Sequence, residues 1–281
     1  MKSELDQLAR ELFVPDAGDP LPEVDLPRTA AGMVVALPAG GFGYRMRAAS
    51  DTGVTQKALL PLPNGETLIG RLVRQYAEAG FREFVALVNH EGAAVEAHLD
   101  GGRPWGVEVR CSYDPQPTGS GRTGAMLHAM AGGVLPADRP VLVHNADCHL
   151  MGYPGSFPRE LLRTHAAAVE RHGAVATLAA VDGSPYPYTG MSIRGGRVRE
   201  VEMYPFIPVP VHTGITVLTP AALEQIHRHP PGAKSNFERD YFPRWAAEGR
   251  LGAMVLPYRH WVAVDDRKAY KVFCEAVDRG E

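Results

Sequence analysis

Between residues 33 and 182 the chain alternates short apolar runs with amphipathic stretches, and this limits its possible folds more than any other feature. "MVVAL", "EFVALVN", "VEVRCSY", "PVLVHNAD" and "AVATLAAV" read as strands, the most apolar of them buried on both faces. Between them, "TLIGRLVRQYAEAG" (closed by Gly80), "GAAVEAHL", "RTGAMLHAMAGG" and "FPRELLRTHAAAVERHG" read as helices. Strands and helices in turn at this spacing predict an α/β fold with a largely parallel sheet. After Asp182 the short β-like runs of "YTGMSIRGGRVREVEMYPFIPVPVHTGITVL", with a turn at Gly195-Gly196, predict an antiparallel excursion that returns to the sheet. Helices near 220–227 and 237–249, a strand pair "AMVLPY" and "WVAV", and a helix over 267–277 complete the pattern. Residues 1–30 read as an extension: a short helix with Leu5, Leu8, Leu12 and Phe13 on one face, then a Pro-rich connector. Residues 31–281 form the domain itself.

The chain of 281 residues is long enough for a substantial core, and a formal net charge of −3 gives no electrostatic case for nucleic acid as a partner. Cys111, Cys148 and Cys274 are scattered, with no CxxC pair, and read as reduced thiols. No apolar run approaches the roughly 18 residues a membrane span needs. "MKSELDQLARELF" lacks the apolar core of a signal peptide. A cytoplasmic protein is expected.

The stretch "ALPAGGFGYRMR", Ala36 to Arg47, carries an apolar strand into a glycine-rich loop and then arginines. A dinucleotide-binding turn wants G-x-G-x-x-G opening a helix directly, but Met46 occupies the third glycine position and no helical pattern begins before about Thr67. An ATPase P-loop wants G-x-x-x-x-G-K-[ST], which Lys57 does not complete. What remains is a strand, G-G-x-G-x-R, a spacer, and Lys57 before "ALLPL". Glycines let main-chain N–H groups approach phosphates, Arg45 adds a fork of donors, and Lys57 adds a mobile point charge.

This segment resembles the signature of the sugar-1-phosphate nucleotidyltransferases, roughly A-G-G-x-G-T-R-L, a spacer, then P-K-x-L-L-P-V. It departs at Tyr44, usually threonine, and at Gln56, usually proline. The resemblance runs on in order. "SGRTGAMLHAM" is similar to L-G-T-A-G-A-L, "VLVHNADCHL" to L-V-x-N-G-D, "VEMYP" to V-E-K-P, and "HTGITVL" to N-[AT]-G-I-Y-V-L. "NFERDYFPRWAAEGRLGAMVLPYRHWVAVDDRKAY" is similar to the F-E-x-D-x-F-P segment and the W-x-D-I-G-T-P-x-x-Y ending.

The resemblance implies a Rossmann-like, glycosyltransferase-A-like domain. Its central sheet is mixed and mostly parallel, beside a small antiparallel sugar-binding subregion. It implies that a nucleotidyl group passes from a nucleoside triphosphate to a sugar 1-phosphate, releasing pyrophosphate, with Mg²⁺ as cofactor and assembly into homo-oligomers. The base reads as guanine or thymine, and the acceptor as an unusual sugar of specialised metabolism. Arg45, Lys57 and Asp147 take the catalytic positions. Ala39, Gly40, Gly41, Gly43, Gln116, Gly121 and Gly124 take those around the nucleotide, and Gly190, Glu202, His212 and Thr213 those around the sugar. Asp147 holds the metal. The family's second metal aspartate is Ala263 here; Asp265 and Asp266, two and three residues on, are the candidates to replace it, and Asp265 lies on the same face of an extended strand about 7 Å along. Met203 replaces the lysine that grips the sugar phosphate. These two departures keep two other readings open: a nucleotide-sugar sensor with lost catalysis, and transfer to a non-sugar phosphate such as phosphocholine. His144, His149 and His212 read as pocket residues more readily than as a zinc cluster.

Overall fold

The computed structural model describes residues 2–14, 20–41, 55–230, 232 and 234–280. Gly43 and Arg45 lie outside the described residues.

Seven strands form the main sheet: β1 (Val34–Pro38), β2 (Glu83–Val88), β3 (Glu108–Tyr113), β4 (Val141–His144), β6 (Ala176–Val181), β11 (Val211–Leu218) and β12 (Leu251–Leu256). They lie in the order β12-β6-β11-β4-β1-β2-β3. Every neighbouring pair is parallel except those of β11, which runs antiparallel to both β4 and β6. The expected mixed, mostly parallel α/β sheet is therefore present.

Alternation along each strand sorts side chains onto two faces. Val35, Leu37, Phe84, Ala86 and Val88 point to one layer, where α2 (Leu26–Ala31), α3 (Leu68–Glu78), α4 (Gly92–Leu99) and α6 (Phe157–His172) cover them. Val34, Ala36, Val85, Leu87, Val141 and Val143 point to the other. There α5 (Gly121–Ala131), α7 (Pro220–Arg228), α8 (Phe237–Asp240) and α9 (Phe242–Ala247) bring Met126, Leu223, Ile226, Phe237, Phe242 and Trp245. Both faces are dry, which is why these strands carry so few polar residues. A third cluster, Leu60, Leu62, Leu68, Val262, Val264, Phe273 and Val277, packs α10 (Arg267–Asp278) over the segment that follows Lys57.

Local signals set the element ends. Thr67 caps α3 by accepting from the Gly70 N–H, and Ser156 caps α6 by accepting from that of Arg159. Gly80 (φ +104°) ends the α3 turn, and a Cβ there would meet Pro27 Cα at 2.9 Å. The close approach seats α2 against the core, so Leu26 and Ala30, within the stretch read as an extension, are buried with it. The described part of that stretch before α2 includes the helix α1 (Lys2–Leu12).

Two expectations change. The helix anticipated over 237–249 is two short helices broken at Tyr241. Pro243 has no N–H to donate to the Arg239 carbonyl, so one continuous helix would lose a bond there. The strands in "AMVLPY" and "WVAV" do not pair with each other. β12 adds to β6, while β13 (Trp261–Ala263) pairs antiparallel with the short β5 (Cys148–Leu150). The antiparallel excursion is present as the ribbon β8 (Thr189–Arg194) and β9 (Arg197–Met203), turning at Gly195-Gly196 with both φ angles positive, and as the short pair β7 (Ser184–Pro185) and β10 (Phe206–Ile207). No helix among the described residues is long and apolar enough to cross a membrane.

Candidate active site

The β5–β13 pairing brings together carboxylates far apart in sequence. Val264 N–H donates to the Asp147 carbonyl at 2.8 Å, which places the residues after β13 beside the turn after β4. Asp265 reaches the site by a different route from an extended strand. Its N–H donates to the Ala263 carbonyl at 2.9 Å, so the chain turns sharply after β13. Its neighbour Asp266 faces elsewhere and caps α10, accepting from the Ala269 N–H at 2.8 Å.

Lys57 joins the two carboxylates. Its Nζ donates to Asp147 Oδ2 at 2.7 Å and to Asp265 Oδ1 at 2.8 Å, and its side chain is only 13% exposed. Burial alone would lower the Lys57 pKa, but the charges and hydrogen bonds of Asp147 and Asp265 outweigh it and raise the pKa above the usual lysine value. Gln56 fixes the segment. Its amide donates to the Ala39 carbonyl (3.0 Å) and the His90 carbonyl (2.7 Å), and its oxygen accepts from the Ala58 N–H. The residue that departs from the proline of the signature thus ties Lys57 to the ends of β1 and β2.

Asp147 also lines a cavity of about 370 Å³ at the carboxyl ends of β1, β2 and β4, where an open α/β sheet binds its ligands. Gly40 and Gly41 after β1, Asn89 after β2, Gly119 before α5 and Gly121 at its first position line its wall, with Arg122, Asn145, Lys234 and Asn236. Gly121 is held at φ +77°, and a Cβ there would sit 2.2 Å from the Ser235 carbonyl oxygen. Ser235 N–H in turn donates to the Ser120 carbonyl at 3.0 Å, so the 234–238 segment docks directly on the start of α5. A larger cavity, about 520 Å³, opens between α3 and α6 beside Tyr76, His144 and Tyr153. It is lined by neither Asp147 nor the Gly40–Gly41 and Gly119–Gly121 backbone, so we place the site in the smaller one.

The remaining expected site residues are distributed as follows. Ala39 is buried at the end of β1, and Gly124 packs inside α5 against Ser120. The Gln116 carbonyl accepts from the Asn89 amide at 2.8 Å. Thr213 is buried, its hydroxyl committed to the Ala179 carbonyl at 2.8 Å. His212 sits between Glu238 Oε1 (3.2 Å) and Thr216 Oγ1 (3.0 Å). Gly190 and Glu202 are cross-strand partners on the exposed ribbon. The structure therefore brings Lys57, Asp147 and Asp265 into one cluster beside Gly40, Gly41 and Gly121. Of the other expected residues among those described, Ala39, Gln116, Gly124, Gly190, Glu202, His212 and Thr213 are not part of that cavity wall.

The three histidines are separate: His149 stacks on Phe273, and His144 lies between the Tyr76 hydroxyl (2.8 Å) and the Cys148 carbonyl (2.9 Å). Among the described residues no group of three or more histidine, cysteine or acidic side chains is arranged to hold a metal. Residues given no site role from the sequence are Gln56, Asn89, Arg122, Asn145, Lys234, Asn236 and Glu238. Gln56 carried a signal as a departure beside Lys57, and Asn145 and Glu238 as letters of the motifs L-V-x-N-G-D and F-E-x-D-x-F-P; the others carried none.

Burial lowers the pKa values of His144 and His165 to about 4. Their unfolded values, about 6.5, lie higher, so below that pH the unfolded chain binds protons that the folded chain refuses. The stability they contribute is complete above about pH 6.5 and falls as the pH drops towards about 4, by roughly 1.4 kcal/mol per pH unit for each histidine. Thermal melts from pH 7 to pH 4 are expected to show this decline, and His165→Gln is expected to reduce its slope by about one proton. An unchanged slope in that variant contradicts the assignment.

The fold and the glycine-lined cavity at the strand ends define an α/β domain with an open-sheet site, and the chain belongs to the family of MobA-like NTP transferase domains, which matches residues 35–247. Among its relatives, the probable mannose-1-phosphate guanylyltransferase 3 of Oryza sativa subsp. japonica is 28% identical over 237 residues, covering 82% of this chain and 61% of the relative. Mannose-1-phosphate guanylyltransferase 1 of Arabidopsis thaliana is 26% identical over the same length with the same coverage. The chain thus spans about three-fifths of the length of these curated relatives. The crystal structure of HddC from Yersinia pseudotuberculosis, complexed with GMP-PN, shares the fold. It aligns with a TM-score of 0.61 at 18% identity, over 86% of this chain and 98% of that one.

Proposed function

We propose that this chain transfers a nucleotidyl group from a nucleoside triphosphate to a sugar 1-phosphate, forming a nucleotide sugar and releasing pyrophosphate. The observation that carries the reading is the convergence of Lys57, Asp147 and Asp265 beside the glycine-lined cavity. The acceptor's phosphate oxygen attacks the α-phosphorus, the new P–O bond forms as the bond to the leaving pyrophosphate breaks, and pyrophosphate carries away the electron pair.

Such transfers require alignment and charge neutralisation more than covalent help from the protein. Gly40, Gly41 and Gly121 leave room for the nucleotide against main chain, with Ala39 and Gln116 in the same segments and Gly124 in the first turn of α5. Lys57, held protonated, meets the α-phosphate or the acceptor phosphate, and Arg45 the leaving pyrophosphate. Two hard carboxylates converging on a single cation form a donor set that suits Mg²⁺, so Asp147 and Asp265 would hold that ion. When bound, it neutralises charge on the transferred phosphoryl group. Glu202 and Gly190 on the ribbon, with His212 and Thr213 at the start of β11, belong to the sugar side. Guanine is the base favoured, since the Oryza and Arabidopsis relatives are named as guanylyltransferases. An unusual sugar, a homo-oligomer and the cytoplasm complete the reading.

Incubation with each triphosphate, Mg²⁺ and a panel of sugar 1-phosphates tests it through pyrophosphate release. Release with GTP and at least one sugar 1-phosphate is expected. Release only with phosphocholine, or tight binding of a nucleotide sugar with no release from any pair, contradicts it.

A further inference from the structure

Lys57 and the glycine loops account for one part of the site, but the cavity wall holds a second charged device. Arg122, the second residue of α5, lines the cavity. Its Nη2 donates to Glu238 Oε1, and the same oxygen faces His212 Nδ1 at 3.2 Å. An ionised carboxylate only accepts, so Nδ1 carries the proton, and Nε2 is left facing the Thr216 hydroxyl at 3.0 Å. Burial would raise the Glu238 pKa, but the His212 hydrogen bond and the Arg122 charge overcome it and hold the group at about 2. The carboxylate is thus a permanent anion that fixes the direction of the guanidinium. The other Glu238 oxygen, Oε2, is buried with no hydrogen-bond partner among the described residues.

The sheet topology says towards which strands this fork leans. The cavity's glycine backbone follows β1 (Gly40, Gly41) and β3 (Gly119, Gly121). Glu238 and His212 belong to the other half, because His212 is on β11, on the far side of β4 from β1. The main chain of Arg122 follows Gly121 directly, but its guanidinium is anchored towards Glu238 and the β11 residue His212, which the transfer reading places on the sugar side. The only other cation lining the cavity among the described residues is Lys234, which is exposed and carries a point charge on a flexible stem. The ribbon offers no cation at the corresponding place: Met203 is apolar and 68% exposed.

We propose that Arg122, oriented by Glu238, is a specificity-determining residue that binds the phosphoryl group of the acceptor. A guanidinium has five N–H donors in a planar fork, so one edge can remain on Glu238 while another takes two phosphate oxygens. The inference rests on the transfer reading given above.

Steady-state kinetics of Arg122→Met, with GTP and the sugar 1-phosphate the wild type uses, test it. Losing one charged hydrogen-bond set is expected to raise the acceptor KM about 10- to 100-fold. The triphosphate KM is expected to stay within about threefold of wild type. Arg122→Lys, which keeps the charge but not the fork, is expected to fall between the two. Because Arg122→Met strands a charged Glu238, the double variant Arg122→Met/Glu238→Gln repeats the measurement without that penalty. An unchanged acceptor KM, or equal rises in both constants, overturns the assignment. A wild-type protein that turns over no sugar 1-phosphate contradicts the transfer reading, a result distinct from either of these.

Discussion

Asp147→Ala is expected to lower the rate of nucleotidyl transfer by on the order of 10²–10³, the scale of losing one strong preorganised electrostatic contact. The residue is the junction of the site: it lines the cavity, accepts from Lys57, and is held in place by the Val264 N–H through the β5–β13 pair. Removing the carboxylate leaves Lys57 paired only with Asp265, so the mostly buried ammonium loses one of its two counter-charges. Triphosphate affinity should change much less than turnover, because the glycine main chain is untouched. Rates within about tenfold of wild type in Asp147→Ala would remove this residue from the transfer step.

The second large effect is structural. Gly121→Ala places a methyl group 2.2 Å from the Ser235 carbonyl oxygen at φ +77°, and the obstacle is main chain that cannot swing aside. The left-handed conformation alone costs about 1–2 kcal/mol. With the clash, the total should reach about 3 kcal/mol, the upper end of ordinary substitutions, and lower Tm by roughly 5–10 °C. Gly119→Ala is the control. Gly119 also has a positive φ, +73°, but a Cβ there meets nothing within 4 Å. A Tm loss for Gly121→Ala well beyond that of Gly119→Ala, together with weaker triphosphate binding, is the expected pattern. Equal losses would show that the docking of Ser235 on α5 does not shape the cavity.

The strands and helices of the sheet were legible because burial on two faces leaves an unbroken apolar signal, as in "VVAL" and "ATLAAV". Lys57 and Asp147 were legible as matches to a motif, and Asp265 as a near miss two residues beyond one. Its position on a turn was not legible, since β5 and β13 are three residues each and too short to show a period. The break at Tyr241 was signalled by Pro243 and outweighed by the apolar pattern around it. Arg122, Glu238 and His212 meet through contacts between distant elements, and no spacing in a sequence encodes such a meeting. The seating of α2 has the same character, with Leu26 and Ala30 in the core and Pro27 close against Gly80.

The most direct test of the transfer centre follows the phosphorus atoms. Wild-type protein and Asp147→Ala are incubated with Mg²⁺, a sugar 1-phosphate and GTP labelled in separate reactions at the α- or γ-phosphorus. The account predicts α-label in the nucleotide sugar and γ-label in pyrophosphate for the wild type, with both slowed together in the variant. The γ-label appearing on the sugar, or the α-label entering the nucleotide sugar equally fast in Asp147→Ala, would contradict it.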